Sequence, residues 1–104
     1  MPARSEQFAA MVRQQPENAL FRFSLAQALV QEGRADEARS HYEFCVASRA
    51  DWMMPRILLG KLQLQAGRTA EAKPLLAAAL QLAVDQHHEE PEHELRALLA
   101  SLPG

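Results

Sequence analysis

A chain of 104 residues holds one domain with a modest core, too small for a deep enclosed active site. Its residues are 48% apolar but only 6% aromatic, a mix that favours helices packed on helices. Lys and Arg number 11 against 13 Asp and Glu, a net charge of -2; the basic residues are scattered, which excludes the basic stripe of a nucleic-acid binder.

Apolar periodicity divides the chain into six helical segments. The first runs from about Arg4 to Gln15 with Phe8, Met11 and Val12 on one face. Pro16-Glu17-Asn18 ends it, and Asn18 suits the N-cap of the next segment. From Ala19 to Gln31 the apolar face is Phe21, Leu25, Ala26 and Leu29, and Gly33 supplies the left-handed residue that closes the helix. The third segment, about Asp36 to Ser48, carries Ala38, Tyr42, Cys45 and Val46. Asp51 is expected to cap the fourth, which bears Pro55 near its first turn and then Ile57, Leu58, Leu59, Leu62 and Leu64 up to Gly67. Thr69 is expected to cap the fifth, striped by Ala72, Leu75, Leu76, Ala79, Leu80 and Ala83, with Pro74 bending or loosening its first turn. His87-His88-Glu89-Glu90 reads as a polar connection, and Pro91 opens a last helix through Leu95, Leu98, Leu99 and Leu102 that Pro103-Gly104 stops. The fold expected is all-α, built of antiparallel helix pairs.

The fourth and fifth segments echo the second and third. A shift of 34 residues carries Gly33-Arg34 onto Gly67-Arg68, Arg22 onto Arg56, Leu25 onto Leu59 and Gln31 onto Gln65. It also carries Glu37-Ala38 onto Glu71-Ala72 and Asp51 onto Asp85. A period of this size marks a supersecondary unit that cannot bury its apolar face alone. Leu25-Ala26, Leu29, Gly33, Ala38, Tyr42 and Cys45 fall where the tetratricopeptide repeat has Leu-Gly, an aromatic, Gly, Ala, an aromatic and Ala. Leu59-Gly60, Gly67, Ala72, Leu76 and Ala79 take the same places one period on.

The chain therefore resembles that family over two whole units, 19–52 and 53–86. Segment 1–18 resembles an incomplete preceding repeat, and 87–104 a capping helix. It departs from the pattern at Arg22, Arg56 and Gln63, which replace aromatics, and at Ala50 and Val84, where a closing proline is common. The resemblance implies a short right-handed solenoid whose small residues Ala26, Gly60, Ala38 and Ala72 let paired helices approach closely.

The resemblance also implies a concave groove lined by the first helix of each pair: Leu20, Phe23, Gln27, Val30, Met54, Ile57, Lys61 and Leu64. Most of these are apolar, as suits a partner peptide or amphipathic helix. The plainer alternative is that the terminal helices or a second copy of the chain cover them. The family's carboxylate-clamp subclass needs several asparagine and lysine donors converging on one carboxylate. Asn18 is the only asparagine and stands at a helix cap, so that mode is rejected.

Arg22 and Arg56 could form an anion-reading ladder, although pairing with acids or packing over apolar neighbours is preferred. His87, His88 and His93 with Glu89, Glu90, Glu92 and Glu94 make a metal-like cluster. Pro91 interrupts it, and its spacings do not put ligands three or four apart on one face, so a solvated loop is the reading. Cys45 stands at a small buried position and reads as a core thiol, His41 as a packing residue and Trp52 as a wedge at a helix start.

The expectation is thus a non-enzymatic protein-protein interaction module, with no cofactor or metal and with neither nucleic acid nor membrane as partner. Self-assembly through the same groove is a second reading, and a chaperone for a client protein a third. One cysteine, no apolar leader and no stretch of about 20 apolar residues point to a cytoplasmic protein.

Overall fold

The computed structural model describes residues 3–103. Met1, Pro2 and Gly104, assigned above to the ends of the first and last segments, lie outside the described residues. Among the described residues there are six helices and no strand: α1 Arg4–Gln14, α2 Ala19–Gln31, α3 Ala35–Ser48, α4 Met53–Gln65, α5 Thr69–Asp85 and α6 Glu89–Ser101. The all-α expectation holds. The chain divides into two compact units, Met1–Ala50 and Asp51–Gly104.

In the first unit α1 packs on α2 and α2 on α3. The expected cap forms, since the Asn18 side-chain oxygen accepts the Phe21 N–H at 3.1 Å and satisfies one orphan donor of α2. Leu25, Ala26, Ala28 and Leu29 of α2 are buried with Ala38, Tyr42 and Cys45 of α3 and Val12 of α1. Ala26 and Ala38 are wholly enclosed, as a close helix crossing requires. Phe23 meets Tyr42 edge-on, with ring centroids 5.9 Å apart and planes at 67°, one of the favoured aromatic geometries.

In the second unit α4 packs on α5 and α5 on α6. Ile57, Ala72, Leu76, Ala79 and Leu95 form its core, and Met53, Leu64, Leu80, Leu98, Leu99 and Leu102 pack against them. A fully buried leucine such as Leu76 contributes about 1.5–3 kcal/mol of transfer free energy. The helix α6 does what its leucine spacing requires, placing Leu95 in this core and Leu98, Leu99 and Leu102 half-buried beside it.

Several helix ends differ from the sequence reading. Trp52, not Asp51, occupies the N-cap of α4, and Arg68, not Thr69, that of α5; neither makes a side-chain cap bond. Asp51 stands one residue before the α4 cap and Thr69 one residue after the α5 cap, so neither side chain occupies the cap position itself. Helix α5 runs unbroken through Pro74, which is exposed. The proline withholds its bond from the carbonyl of exposed Ala70, which water can reach. Helix α6 begins at Glu89, two residues before Pro91, so the polar connection shortens to Gln86–His88.

Three helices stop by the same hydrogen-bond pattern. Gly33 and Gly67 both sit at φ +78°. Beyond them the Arg34 N–H bonds Leu29 O at 2.8 Å, and the Arg68 N–H bonds Gln63 O at 2.8 Å. These are Schellman closures, which need a left-handed residue at the turn. Helix α5 closes the same way, with His88 N–H on Ala83 O at 2.9 Å, but there His87 holds the left-handed position at φ 60°.

Candidate functional site

The first-helix positions separate into surface and core. On α2, Leu20 is 53% exposed and Val30 39%, Gln27 is exposed, and Phe23 is half-buried against Tyr42. On α4, Met54 is 42% exposed and Lys61 is exposed, whereas Ile57 is buried and Leu64 half-buried against the core. Ile57 and Leu64 are therefore core residues first. The family resemblance assigns both to the groove face of α4; in the structure Ile57 belongs to the core of the second unit and Leu64 packs against that core.

Each unit carries a cavity beside its first helix. In the first unit Gln27 lines a space of about 100 Å³ with Arg4, Phe8, Ser24, Ala28 and Gln31, between α1 and α2. In the second, Ile57 and Lys61 of α4 line a space of about 210 Å³ with Pro91, Glu94, Leu95 and Leu98 of α6. The α6 contribution escapes a reading that treats the last helix as a cap. Its leucine stripe is visible in the sequence, but its pairing with α4 is a tertiary fact.

A polar network on the first unit was also hidden. Ser5 is buried, and both its N–H and its hydroxyl donate to the Glu32 carboxylate, at 3.0 and 2.6 Å. Arg34 donates to Ser5 Oγ at 3.2 Å and grips Glu37 with two bonds of 2.7 and 2.8 Å. The Ser5 bonds, aided by Arg34, hold the Glu32 carboxyl below the usual carboxylate range, and Arg34 does the same for Glu37. Ser5, Arg34 and Glu37 border a cavity of about 180 Å³ with Leu25, Leu29 and His41.

The remaining reactive side chains are structurally engaged. Arg22 donates to Pro16 O at 2.8 Å, and its guanidinium stacks over Phe44 at 4.2 Å, so packing takes up one member of the supposed anion ladder. His41 lies 3.4 Å from Arg22 Nη1; burial and then the Arg22 charge push its pKa down. Cys45 is fully buried and its thiol faces Ala19 O at 3.3 Å. Burial pushes that thiol up to about 11, opposed weakly by Arg22, so almost none of it is thiolate at neutral pH. Asn18 is occupied by its cap bond and by Gln15. Among the described residues no three His, Cys, Asp or Glu side chains come together as a metal-binding set. No helix among them is long and apolar enough to cross a membrane.

Compared with known protein families, the chain matches the tetratricopeptide repeat at residues 19–43 and 53–78. These stretches cover α2 with the first part of α3, and α4 with the first part of α5. Comparison with curated proteins gives no match.

Proposed function

We propose that this chain, which belongs to the tetratricopeptide-repeat family, is a non-enzymatic interaction module. It binds a partner peptide or helix through the first helix of each repeat. Repeats of this family generally mediate protein–protein interaction. The units assigned are 19–52 and 53–86, with 1–18 as an incomplete repeat helix and 87–104 as a capping helix. One observation carries the reading: among the described residues the large hydrophobic side chains left exposed, Leu20, Val30 and Met54, all lie on α2 or α4. Exposed apolar side chains of this kind offer contacts to a partner, and here they lie on the helices that line the family's groove.

Phe23, Gln27, Ile57, Lys61 and Leu64 complete the proposed contact set; Ile57 is buried, Phe23 and Leu64 are half-buried, and Gln27 and Lys61 are exposed. The buried thiol of Cys45 suits a reducing cytoplasmic setting.

The test is affinity capture with the wild-type chain beside a Leu20→Ser/Val30→Ser/Met54→Ser variant, with helicity checked by circular dichroism. Specific partners should fall away from a folded variant; retention of all of them at wild-type yield overturns the reading. Light scattering at two concentrations separates self-assembly, which requires the mass to rise with concentration.

A further inference from the structure

The cavity between α4 and α6 has an apolar floor and a charged rim. Ile57 at 8% exposure and Leu95 at 2% form the floor with half-buried Leu98 and Pro91, while Lys61 stands on the α4 side and Glu94 on the α6 side. Its volume of about 210 Å³ exceeds the ~150 Å³ of apolar cavities that accept benzene, so one bulky side chain fits. Glu94 also borders a second, open depression with Glu89, Glu90 and His93. The apolar floor and an acidic basin thus share a wall.

The acids at this wall are free to meet a ligand. Among the described residues Glu92 is tied to Arg96 at 3.1 Å, whereas Glu89, Glu90, Glu94 and Lys61 take part in no ion pair. Acids in the first turn of α6, Glu89 and Glu90, complement the helix dipole. Glu94 stands beyond that turn, where the dipole no longer accounts for it. The cleft rim itself balances Lys61 against Glu94, and the excess of negative charge lies in the adjoining depression, where Glu89, Glu90 and Glu94 surround His93.

We propose that this cleft anchors a basic peptide segment. One aliphatic side chain packs on Ile57, Leu95 and Leu98, and lysine or arginine beside it pairs with Glu94 and Glu90. Lys61, on the facing wall, donates to the segment's backbone carbonyls. The proposal rests on the interaction-module reading and narrows it to one partner chemistry.

Nuclear magnetic resonance titration of the full-length, isotope-labelled chain tests it with three capped peptides. The first has a central leucine flanked on each side by two lysines, the second has glutamates for those lysines, and the third has glycine for the leucine. The lysine-leucine peptide should shift the backbone amides of Ile57, Lys61, Leu95 and Leu98 and bind about tenfold more tightly than its glutamate twin. The glycine peptide should lose those shifts. Glu90→Gln/Glu94→Gln, an exposed change that leaves the floor intact, should weaken binding roughly three- to tenfold and flatten its salt dependence.

Equal binding of the glutamate twin, or undiminished binding by the double variant, overturns the proposal. Disappearance of the cleft shifts on concentrating the free chain also overturns it, because a second copy would then be the occupant. The broader reading fails separately, through the Leu20/Val30/Met54 variant, and survives if capture depends on those residues while all three peptides fail.

Discussion

Gly60 of α4 stands directly against Leu76 of α5. A Cβ added there would stand 2.6 Å from Leu76 Cδ2 and 2.8 Å from Leu76 Cγ. Leu76 is wholly buried, so its side chain has little room to retreat. Two effects oppose each other in Gly60→Ala. Alanine favours the helix by about 1 kcal/mol, while forcing a methyl into a packed core costs typically about 1–3 kcal/mol. Packing wins, and Gly60→Ala should lower stability by roughly 1 kcal/mol in urea denaturation. A second substitution, Leu76→Val, removes the clashing reach and should cost less in the Gly60→Ala background than alone. Purely additive losses would show that the two residues do not press on one another. The first repeat carries Ala26 at the corresponding place, so the glycine answers to its local neighbour and not to a general rule of the repeat.

Helix α1 is held by a residue far from it in sequence. Its N-cap, Ala3, offers no side-chain bond, and the second-position N–H, that of Ser5, is satisfied by the carboxylate of Glu32 at the end of α2. A negative group at a helix N-terminus also meets the favourable end of the dipole. Glu32→Ala should speed hydrogen exchange of the α1 amides, with those of α4–α6 unchanged; unchanged α1 exchange would show that apolar packing alone holds the helix. This contact shows where sequence reading stops. Asn18, Gly33 and Gly67 act within a few residues of themselves, and their roles were legible from spacing and residue type. Glu32 acts across 27 residues, and the α4–α6 cleft joins residues 37 apart at Ile57 and Glu94; no local pattern encodes either pairing. The periodic stripes revealed which residues could be buried, but not that Ile57 would be buried and Leu64 half-buried while Met54 stayed open. His87 is a further case, because a left-handed stop is expected at glycine or asparagine and histidine carries no such signal.

At the scale of the whole molecule, acid and alkali should destabilise the chain for different reasons. The groups responsible all lie in the first unit. The folded pKa values of Glu32 and Glu37 are held below the ordinary 4.5 and that of His41 below 6.5. For each, the unfolded chain binds more protons as pH falls, so stability is lost on the acid side, first through His41 and then through the two carboxylates. Burial works in the opposite sense on Cys45, raised from 9.0 to about 11, and on Tyr42, raised from 10.0 to about 12 with Cys45 adding to the rise. There the folded chain keeps protons that the unfolded chain releases, so stability is complete below those ordinary values and declines as pH climbs from each toward the folded one. Urea midpoints should therefore be flat from about pH 7 to 8.5 and fall on both sides. The second repeat has Ala79 where the first has Cys45, and both are fully buried, so alanine suits that packing position. Cys45→Ala should remove the decline between about pH 9 and 10 while leaving the later fall that Tyr42 controls. Hydrogen exchange resolved by residue should place the early alkaline loss within 3–50 and spare α4–α6. An alkaline arm unchanged by Cys45→Ala, or one that begins in α4–α6, would mean that ionisation of the first unit's core does not set the limit.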